Sequence, residues 1–273
     1  MRVLSNRLTG ASMMLAVILS VFSAVPTMVS AAPFGARSDD LATQSDDTPT
    51  RKRARIRLEL AAAYFSQGNY PTALDEVKQV IAVDGGLSDA YELRGLIYSA
   101  MTEPKLAEES FRYALQLDGN NGSAMHNYAW MLCNLGRFAE ADSLFAKAAN
   151  FPKSIDPART TLARGVCQIK AGLVPDAEKT LQRAFEMMPA NPAAAYNLAN
   201  VLYLRGDLER ARFYIRRVND VPEQVSPDSL WLGIRIEHKL GHVEARDELS
   251  ALLRNRFPNS REAIAAELGR FND

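Results

Sequence analysis

Few residues of this chain have the chemistry for catalysis or for metal binding. The 273 residues include three histidines and two cysteines. His238 and His242 are four residues apart, a spacing that puts two metal ligands on one face of a helix. Gly241 falls between them and predicts a turn, so we expect the two side chains to separate. With His126 as the remaining histidine, the sequence predicts no catalytic residue, no metal site and no cofactor.

The elements that carry these residues follow a motif that recurs about every 34 residues from 54 to 258. A small residue is followed seven residues later by glycine, and five residues after that by alanine. Four copies are complete: Ala61/Gly68/Ala73, Ala129/Gly136/Ala141, Gly165/Gly172/Ala177 and Ala199/Gly206/Ala211. The pattern predicts tetratricopeptide repeats (TPRs), which are helix-turn-helix units that stack into a solenoid. We therefore expect an all-α fold, a right-handed superhelix of six TPRs that holds a partner protein.

Composition and charge argue against other classes of function. Hydrophobic residues make up 47% of the chain and charged residues 23%, as is typical of a folded soluble protein. The formal net charge is zero, which gives no electrostatic basis for nucleic acid or anionic lipid as the main ligand. No motif in the sequence indicates a small-molecule substrate.

The N-terminus has the organisation of a secretory signal peptide, which we predict over residues 1–31. Arg2 and Arg7 precede a charge-free apolar run over 11–25. The small residues of Val29-Ser30-Ala31 then suit the −3 and −1 positions of a cleavage site. The alternative is an uncleaved anchor, but a spanning helix needs about 20 apolar residues. The segment contains no cysteine that could carry a lipid.

A flexible leader is expected over residues 32–53, because polar residues and proline dominate this segment. Its end overlaps a basic cluster, RKRARIR, at 51–57. We interpret this cluster as a solvated first helical turn, and contact with lipid or peptidoglycan is the alternative.

Six repeats are predicted over 54–259, followed by a capping helix over 260–273. The repeats are expected to start near Ala54, Ser88, Gly122, Ala158, Pro192 and Pro227. Glycine, proline and asparagine between them supply the helix stop and start signals. The capping helix should cover the apolar edge that the last repeat leaves exposed.

Three segments depart from the pattern. FPKSIDP, at 151–157, carries two prolines and predicts a wider loop between repeats three and four. Repeat two has Thr102-Glu103-Pro104 where a glycine turn is usual. In repeat six, Ile234 and Arg246 stand at the positions of the small residues, which indicates a looser terminal unit.

The two cysteines occupy matching positions in neighbouring repeats. Cys133 and Cys167 are 34 residues apart, near equivalent positions in the first helices of repeats three and four. Adjacent helices pack about 8–10 Å apart, so facing side chains come within disulfide reach. We predict a bridge that contributes about 3–4 kcal/mol in an oxidising compartment. Two buried free thiols are the alternative.

Three longer segments resemble one particular family of TPR proteins. They are NNGSAMHNYAWMLCNLGRFAEADSLFAKAA (120–149), RGVCQIKAG (164–172) and SLWLGIRIEHKLG (229–241). Together they look like the type IV pilus biogenesis/stability protein family, the PilW/PilF-type pilotins. The resemblance extends over roughly residues 54–258.

This resemblance implies a function. Members of the family act in the periplasm at the outer membrane, where they help the pilus secretin to reach the membrane and to form multimers. Most are lipoproteins, whereas this chain lacks the lipidated cysteine, so it is expected to bind the secretin as a soluble cofactor. Two alternatives remain: a general periplasmic scaffold for another envelope assembly, and a regulatory subunit of an envelope enzyme.

The partner should lie in the groove that the first helix of each repeat lines. When the small residue of each repeat is counted as position eight, positions five, nine and twelve of this helix carry mainly apolar and aromatic side chains. Such side chains suit an amphipathic helix or strand. The predicted partner-binding residues are Leu58, Phe65, Leu96, Trp130, Ile169, Tyr196, Tyr203 and Trp231. As the alternative, some of these aromatic side chains pack between adjacent helices as core.

Overall fold

The computed structural model describes residues 48–151 and 155–271. The regular structure of these two ranges is entirely helical, as the sequence predicted. No helix within them is long and apolar enough to cross a membrane. The predicted signal peptide lies outside the described residues, as does the leader as far as residue 47.

Twelve of the helices in the described ranges form six antiparallel pairs. The first helices of the pairs are α1 (Pro49–Ser66), α3 (Ser88–Ala100), α5 (Gly122–Asn134), α7 (Pro157–Lys170), α9 (Pro192–Arg205) and α11 (Pro227–Leu240). The second helices are α2 (Tyr70–Val83), α4 (Pro104–Leu117), α6 (Phe138–Ala148), α8 (Val174–Met187), α10 (Leu208–Asn219) and α12 (Val243–Arg256). A 3₁₀ turn (Pro222–Gln224) precedes α11, and a short helix, α13 (Arg261–Glu267), follows α12.

The helices are arranged in two layers. Every helix from α1 to α12 packs against the next one in the chain. Each odd-numbered helix also contacts the next odd-numbered helix, from α1 to α11. We call the odd-numbered helices α1 to α11 the A layer and the even-numbered helices the B layer. This nearest-neighbour stacking is the architecture expected of a solenoid.

The turn inside each pair uses one left-handed residue. Glycine supplies it in five pairs: Gly68, Gly136, Gly172, Gly206 and Gly241. In the second pair Thr102 takes this conformation, with a φ of 60°. A β-branched residue is strained there, so repeat two keeps the turn geometry without the residue that suits it.

Helix α1 begins earlier than the sequence suggested. The prediction of a flexible leader is wrong for residues 49–53, which are helical. Thr48 caps the helix, because its side chain accepts a hydrogen bond from the Arg51 backbone, and Pro49 suits the first helical position. One turn later Ala54 is buried in a cluster with Val80 and Leu87. The cap and this packing extend the first helix.

The small residues allow the two helices of a pair to approach closely. A methyl group added to Gly165 would lie 2.6 Å from the Leu181 side chain. In repeat six the neighbouring Gly233 allows a close approach: a methyl group there would lie 3.2 Å from Leu249 of the paired helix α12 and 2.9 Å from the Asn219 amide of α10. Ile234, which the repeat pattern aligned with the small position, is fully buried in the C-terminal core cluster. Ile234 therefore replaces the small residue in this repeat, as the sequence pattern indicated.

The C-terminal cap is shorter than predicted. It is helical only over Arg261–Glu267, after Ser260 caps its N-terminus. Left-handed Gly269 follows and ends it. Ala263 and Ala266 are buried against α11 and α12, so the short helix covers the last repeat.

A charged residue of the B layer links each inner repeat to the next. The fifth residues of α4, α6, α8 and α10 are Glu108, Asp142, Glu178 and Arg212. Glu108 bonds to Arg137, Asp142 to Arg164, Glu178 to Arg205, and Arg212 to Glu237. The equivalent residue of α2 is Leu74, which is buried. Charged pairs therefore join repeats two to six, whereas this position is apolar at the first junction.

Two of these links involve a residue four places before the turn glycine. Asp142 accepts hydrogen bonds from both Arg164 (2.7 Å) and Gln168 (2.8 Å). Arg164 is the main reason why the pKa of Asp142 lies below its ordinary value. In α11, Glu237 occupies the equivalent position and accepts from Arg212 at 2.8 Å. These half-buried pairs fix the register of one repeat against the next.

Candidate partner-binding surface

The two cysteines join neighbouring helices of the A layer. Cys133 of α5 and Cys167 of α7 are bonded, and their Cα atoms are 5.9 Å apart. Both side chains are almost fully buried. The bond therefore ties repeat three to repeat four, on either side of a connection that includes residues 152–154 outside the described ranges.

The three histidines do not come together. His126 is buried and its Nδ1 lies 3.2 Å from Thr160 Oγ1. Burial lowers its pKa to about 4, and the charge of Arg159 contributes. His238 packs its ring against Phe271, whereas His242 follows the turn and contacts Glu237. Within residues 48–151 and 155–271, no three side chains of His, Cys, Asp or Glu form a metal-binding group.

All eight predicted partner-binding residues lie on the A layer, but their exposure differs. Six are half-buried: Leu58, Phe65, Leu96, Ile169, Tyr196 and Trp231. They pack against the core clusters of their own and neighbouring repeats. Trp130 is the most exposed of the eight, at 37%. Tyr203 is only 4% exposed.

Trp130 presents a flat aromatic surface in the middle of the A layer. The Lys170 ammonium lies 4.9 Å from its ring centroid. That ammonium also donates a hydrogen bond to Asn134 Oδ1 at 2.8 Å. The lysine is therefore held beside the ring by a cation–π contact and an amide. An exposed aromatic ring in a fixed position is the type of residue that anchors a partner.

Tyr203 is buried, so the prediction was wrong in placing its ring among the exposed side chains of the groove. It belongs to the cluster that includes Leu202 and Ile236. Two cations from α11 cover its ring: Arg235 at 4.9 Å and Lys239 at 4.4 Å from the ring centroid. The sequence pattern could not show this cover, because it comes from the following repeat.

Trp231 is partly covered by the C-terminal end of the described chain. The Phe271 ring lies 6.1 Å from the Trp231 ring, centroid to centroid. The guanidinium of Arg246 stacks on Phe271 from another side, at 5.2 Å. Arg246 thus has a packing role at the position where the other repeats have alanine.

A polar cluster in the A layer was not foreseen from the sequence. Glu92 of α3 accepts hydrogen bonds from Ser123 (2.6 Å) and Asn127 (2.7 Å) of α5. Burial raises the pKa of Glu92 above its ordinary value, and the two hydrogen bonds oppose that shift. Ser123 and Asn127 are four residues apart, one repeat after Glu92, which is the signal that could have revealed the cluster.

Comparisons with known proteins agree with this architecture. Models of the tetratricopeptide repeat family match residues 54–79, 88–121, 122–151 and 168–228. Type IV pilus assembly protein PilF of Pseudomonas aeruginosa is 23% identical over 205 residues, which cover 75% of this chain and 81% of that protein.

Two solved structures of pilus proteins are also similar. The structure of Pseudomonas aeruginosa PilF shares the fold, with 22% identity and a TM-score of 0.70 over 80% of this chain and 99% of that one. The crystal structure of PilW, described as a widely conserved type IV pilus biogenesis factor, has a TM-score of 0.72. It is 30% identical and covers 82% of this chain and 99% of the PilW chain. This protein therefore belongs to the family of TPR type IV pilus biogenesis factors.

Proposed function

We propose that this protein is a non-catalytic periplasmic factor that assists the outer-membrane localisation and multimerisation of the pilus secretin. In this proposal a cleaved signal peptide exports the chain, and the secretin holds it at the outer membrane. Its membership of a family of pilus biogenesis factors supports a role in the same process. The TPR fold supports recognition of a protein as the mechanism.

The exposed indole of Trp130 is the observation that carries the proposal. It lies on the third of the six A-layer helices, with Lys170 fixed at one face. Half-buried apolar side chains of the neighbouring A helices extend the surface on both sides. Because this surface is preformed, the partner segment bears most of the entropic cost of binding.

A deletion strain tests the function directly. We expect heat-resistant secretin multimers and surface pili to disappear together, and to return when the gene is restored. Unchanged secretin multimers in the deletion strain would contradict the proposal. Co-purification with a different envelope complex would then favour a general scaffold.

A matched pair of aromatic variants tests the surface. Trp130→Ala in the A layer should lose secretin binding, whereas Phe213→Ala in the B layer should keep it. Phe213 is 59% exposed, against 37% for Trp130, and so serves as a control that is at least as accessible. Circular dichroism should give the same helix content for both variants. Equal secretin binding by the two would remove Trp130 from the interface.

A further inference from the structure

The A layer of repeats five and six carries two cations that lack a carboxylate partner. They are Arg235 and Lys239 of α11, which lie one helical turn apart over the Tyr203 ring. Helix α11 contains two carboxylates, and both are engaged elsewhere. Glu237 pairs with Arg212 and His242, and Asp228 lies near Arg261. Neither cation forms an ion pair with any residue that the structure describes.

Other cations that stack on A-layer rings have an additional partner. Lys170, on Trp130, donates to Asn134 at 2.8 Å. Arg94, on Tyr91, donates from Nε to Ser110 at 3.0 Å. By contrast, Arg235 Nε is buried without a hydrogen-bond partner among the described residues.

The hydroxyl of Tyr203 is a second buried group without a partner. This side chain is 4% exposed, and its oxygen has no hydrogen-bond partner within the described part of the chain. A buried donor is normally satisfied, so an unsatisfied hydroxyl on a ring that two unpaired cations cover points to a ligand. The chemistry that would satisfy all three groups is a carboxylate.

We propose that this site, Tyr203 with Arg235 and Lys239, binds an aspartate or glutamate side chain of the partner segment. The inference rests on the proposed function in one respect, that the A layer holds a partner chain. A partner of acidic character is favoured by charge, because the site offers two cations close together and neither of them forms an ion pair with a described residue.

An apolar residue of the same partner segment should lie beside the acidic one. Trp231, Arg235 and Lys239 are spaced four residues apart and therefore share one face of α11. One helical turn separates the indole from the guanidinium, about 6 Å along the axis. An extended partner spans that distance in about two residues, which also keeps both side chains on one face. We expect an apolar residue and an acidic residue at this spacing.

Peptide selection against the purified full chain tests this site. A random peptide library, fused to its carrier at the C-terminus, offers side-chain carboxylates but no terminal one. The wild-type protein should enrich peptides with Asp or Glu near an apolar residue. The R235E/K239E variant should lose that enrichment and select Lys or Arg instead. The control K179E/R254E changes two B-layer cations by the same charge and should select as the wild type does.

Affinities of one selected peptide complete the test. Fluorescence anisotropy should give about tenfold weaker binding to R235Q/K239Q, and a Glu→Lys peptide should bind R235E/K239E better than the wild type. Circular dichroism and thermal unfolding verify that each variant is folded. Selection without acidic enrichment, or with the same enrichment by all variants, would overturn the site. The peptide experiments contain no secretin, so a negative result there leaves the proposed function intact. A negative result of the deletion experiment likewise leaves the proposed carboxylate site intact.

Discussion

The contact between neighbouring A-layer helices differs between two regions, repeats three and four and repeats five and six. In the first region a disulfide joins α5 to α7, and the one cation on Trp130 has an amide partner. In the second region the junction between α9 and α11 has no covalent link, and two cations over Tyr203 have no carboxylate. The junction between neighbouring A-layer helices thus has a covalent link in the middle of the stack, beside the exposed Trp130, and two cations without a carboxylate near its end.

The difference shows how a repeat protein can stabilise one junction covalently and leave charge unpaired at another. Each repeat contacts mainly its neighbours, so strain at one junction is not shared by the whole chain. The chain has two tryptophans, Trp130 in the first region and Trp231 in the second, which report on the two regions separately.

Reduction of the disulfide should have the largest effect on this comparison. Cys133 and Cys167 close a loop with a sequence separation of 34. Loss of the bond should lower the free energy of unfolding by about 3–4 kcal/mol, because the unfolded chain regains its freedom. Urea denaturation with and without reductant measures the change. The C133A/C167A variant is the control and should not respond to reductant, whereas an unresponsive wild type would contradict the prediction.

Acid should weaken the same region. Burial lowers the pKa of His126 from 6.5 to about 4. Between these values the unfolded chain binds a proton that the folded chain does not, so stability is lost as the pH falls through this window and no further below it. The loss should be on the order of 3 kcal/mol.

The His126→Gln variant should remove this part of the acid sensitivity. Comparing the urea stability of the two proteins at neutral pH and near pH 4 isolates the effect of this one group. With Trp231 replaced by phenylalanine, Trp130 fluorescence reports on repeats three and four. Parallel pH curves for the wild type and the variant would show that His126 does not titrate as expected.

Glycine-to-alanine changes at the helix crossings should show that the first region is more tightly packed. At Gly165 the added methyl group would lie 2.6 Å from the Leu181 side chain, which is fully buried. At Gly233 it would meet the ends of the Asn219 and Leu249 side chains at 2.9 and 3.2 Å. We expect Gly165→Ala to cost about 1–2 kcal/mol and Gly233→Ala to be near neutral, in urea denaturation. A reversed order would contradict the comparison.

Changes at the turns should not distinguish the two regions. Gly172 and Gly241 have φ angles of 74° and 78°, and an added methyl group would meet nothing within 4 Å at either. Alanine should therefore cost about 1 kcal/mol at each position, from backbone strain alone. Thermal unfolding of the two variants measures this cost. Unequal shifts would mean that the regions differ in their turns and not only in their packing.

Much of the fold could be predicted because glycine and proline define the limits of the helices. The first helices of repeats two to six begin at or within one residue of the expected starts. The first repeat differs because the Thr48-Pro49 start signal falls within a segment whose composition is otherwise that of a leader. In repeat six, Ile234 stands seven residues before the turn glycine, where the other glycine-turn repeats have alanine or glycine, and it is fully buried.

Exposure of the groove side chains could not be predicted in the same way. Trp130 and Tyr203 both fit the pattern of groove positions, yet one is exposed and the other is core. What separates them is the next repeat: Lys170 leaves much of the Trp130 ring open, whereas Arg235 and Lys239 cover the Tyr203 ring. Such cover depends on contacts between residues more than 30 positions apart, which a repeat pattern does not contain.

The charged links between units have a consequence for protein engineering. Asp142 accepts from Gln168 at the third junction, whereas Arg212 donates to Glu237 at the fifth. If the fourth and sixth repeats were exchanged, the Asp142 carboxylate would face the Glu237 carboxylate in a half-buried interface. The charge of the linking residue therefore determines which repeat can follow which. A shuffled array of the same repeats should therefore assemble poorly.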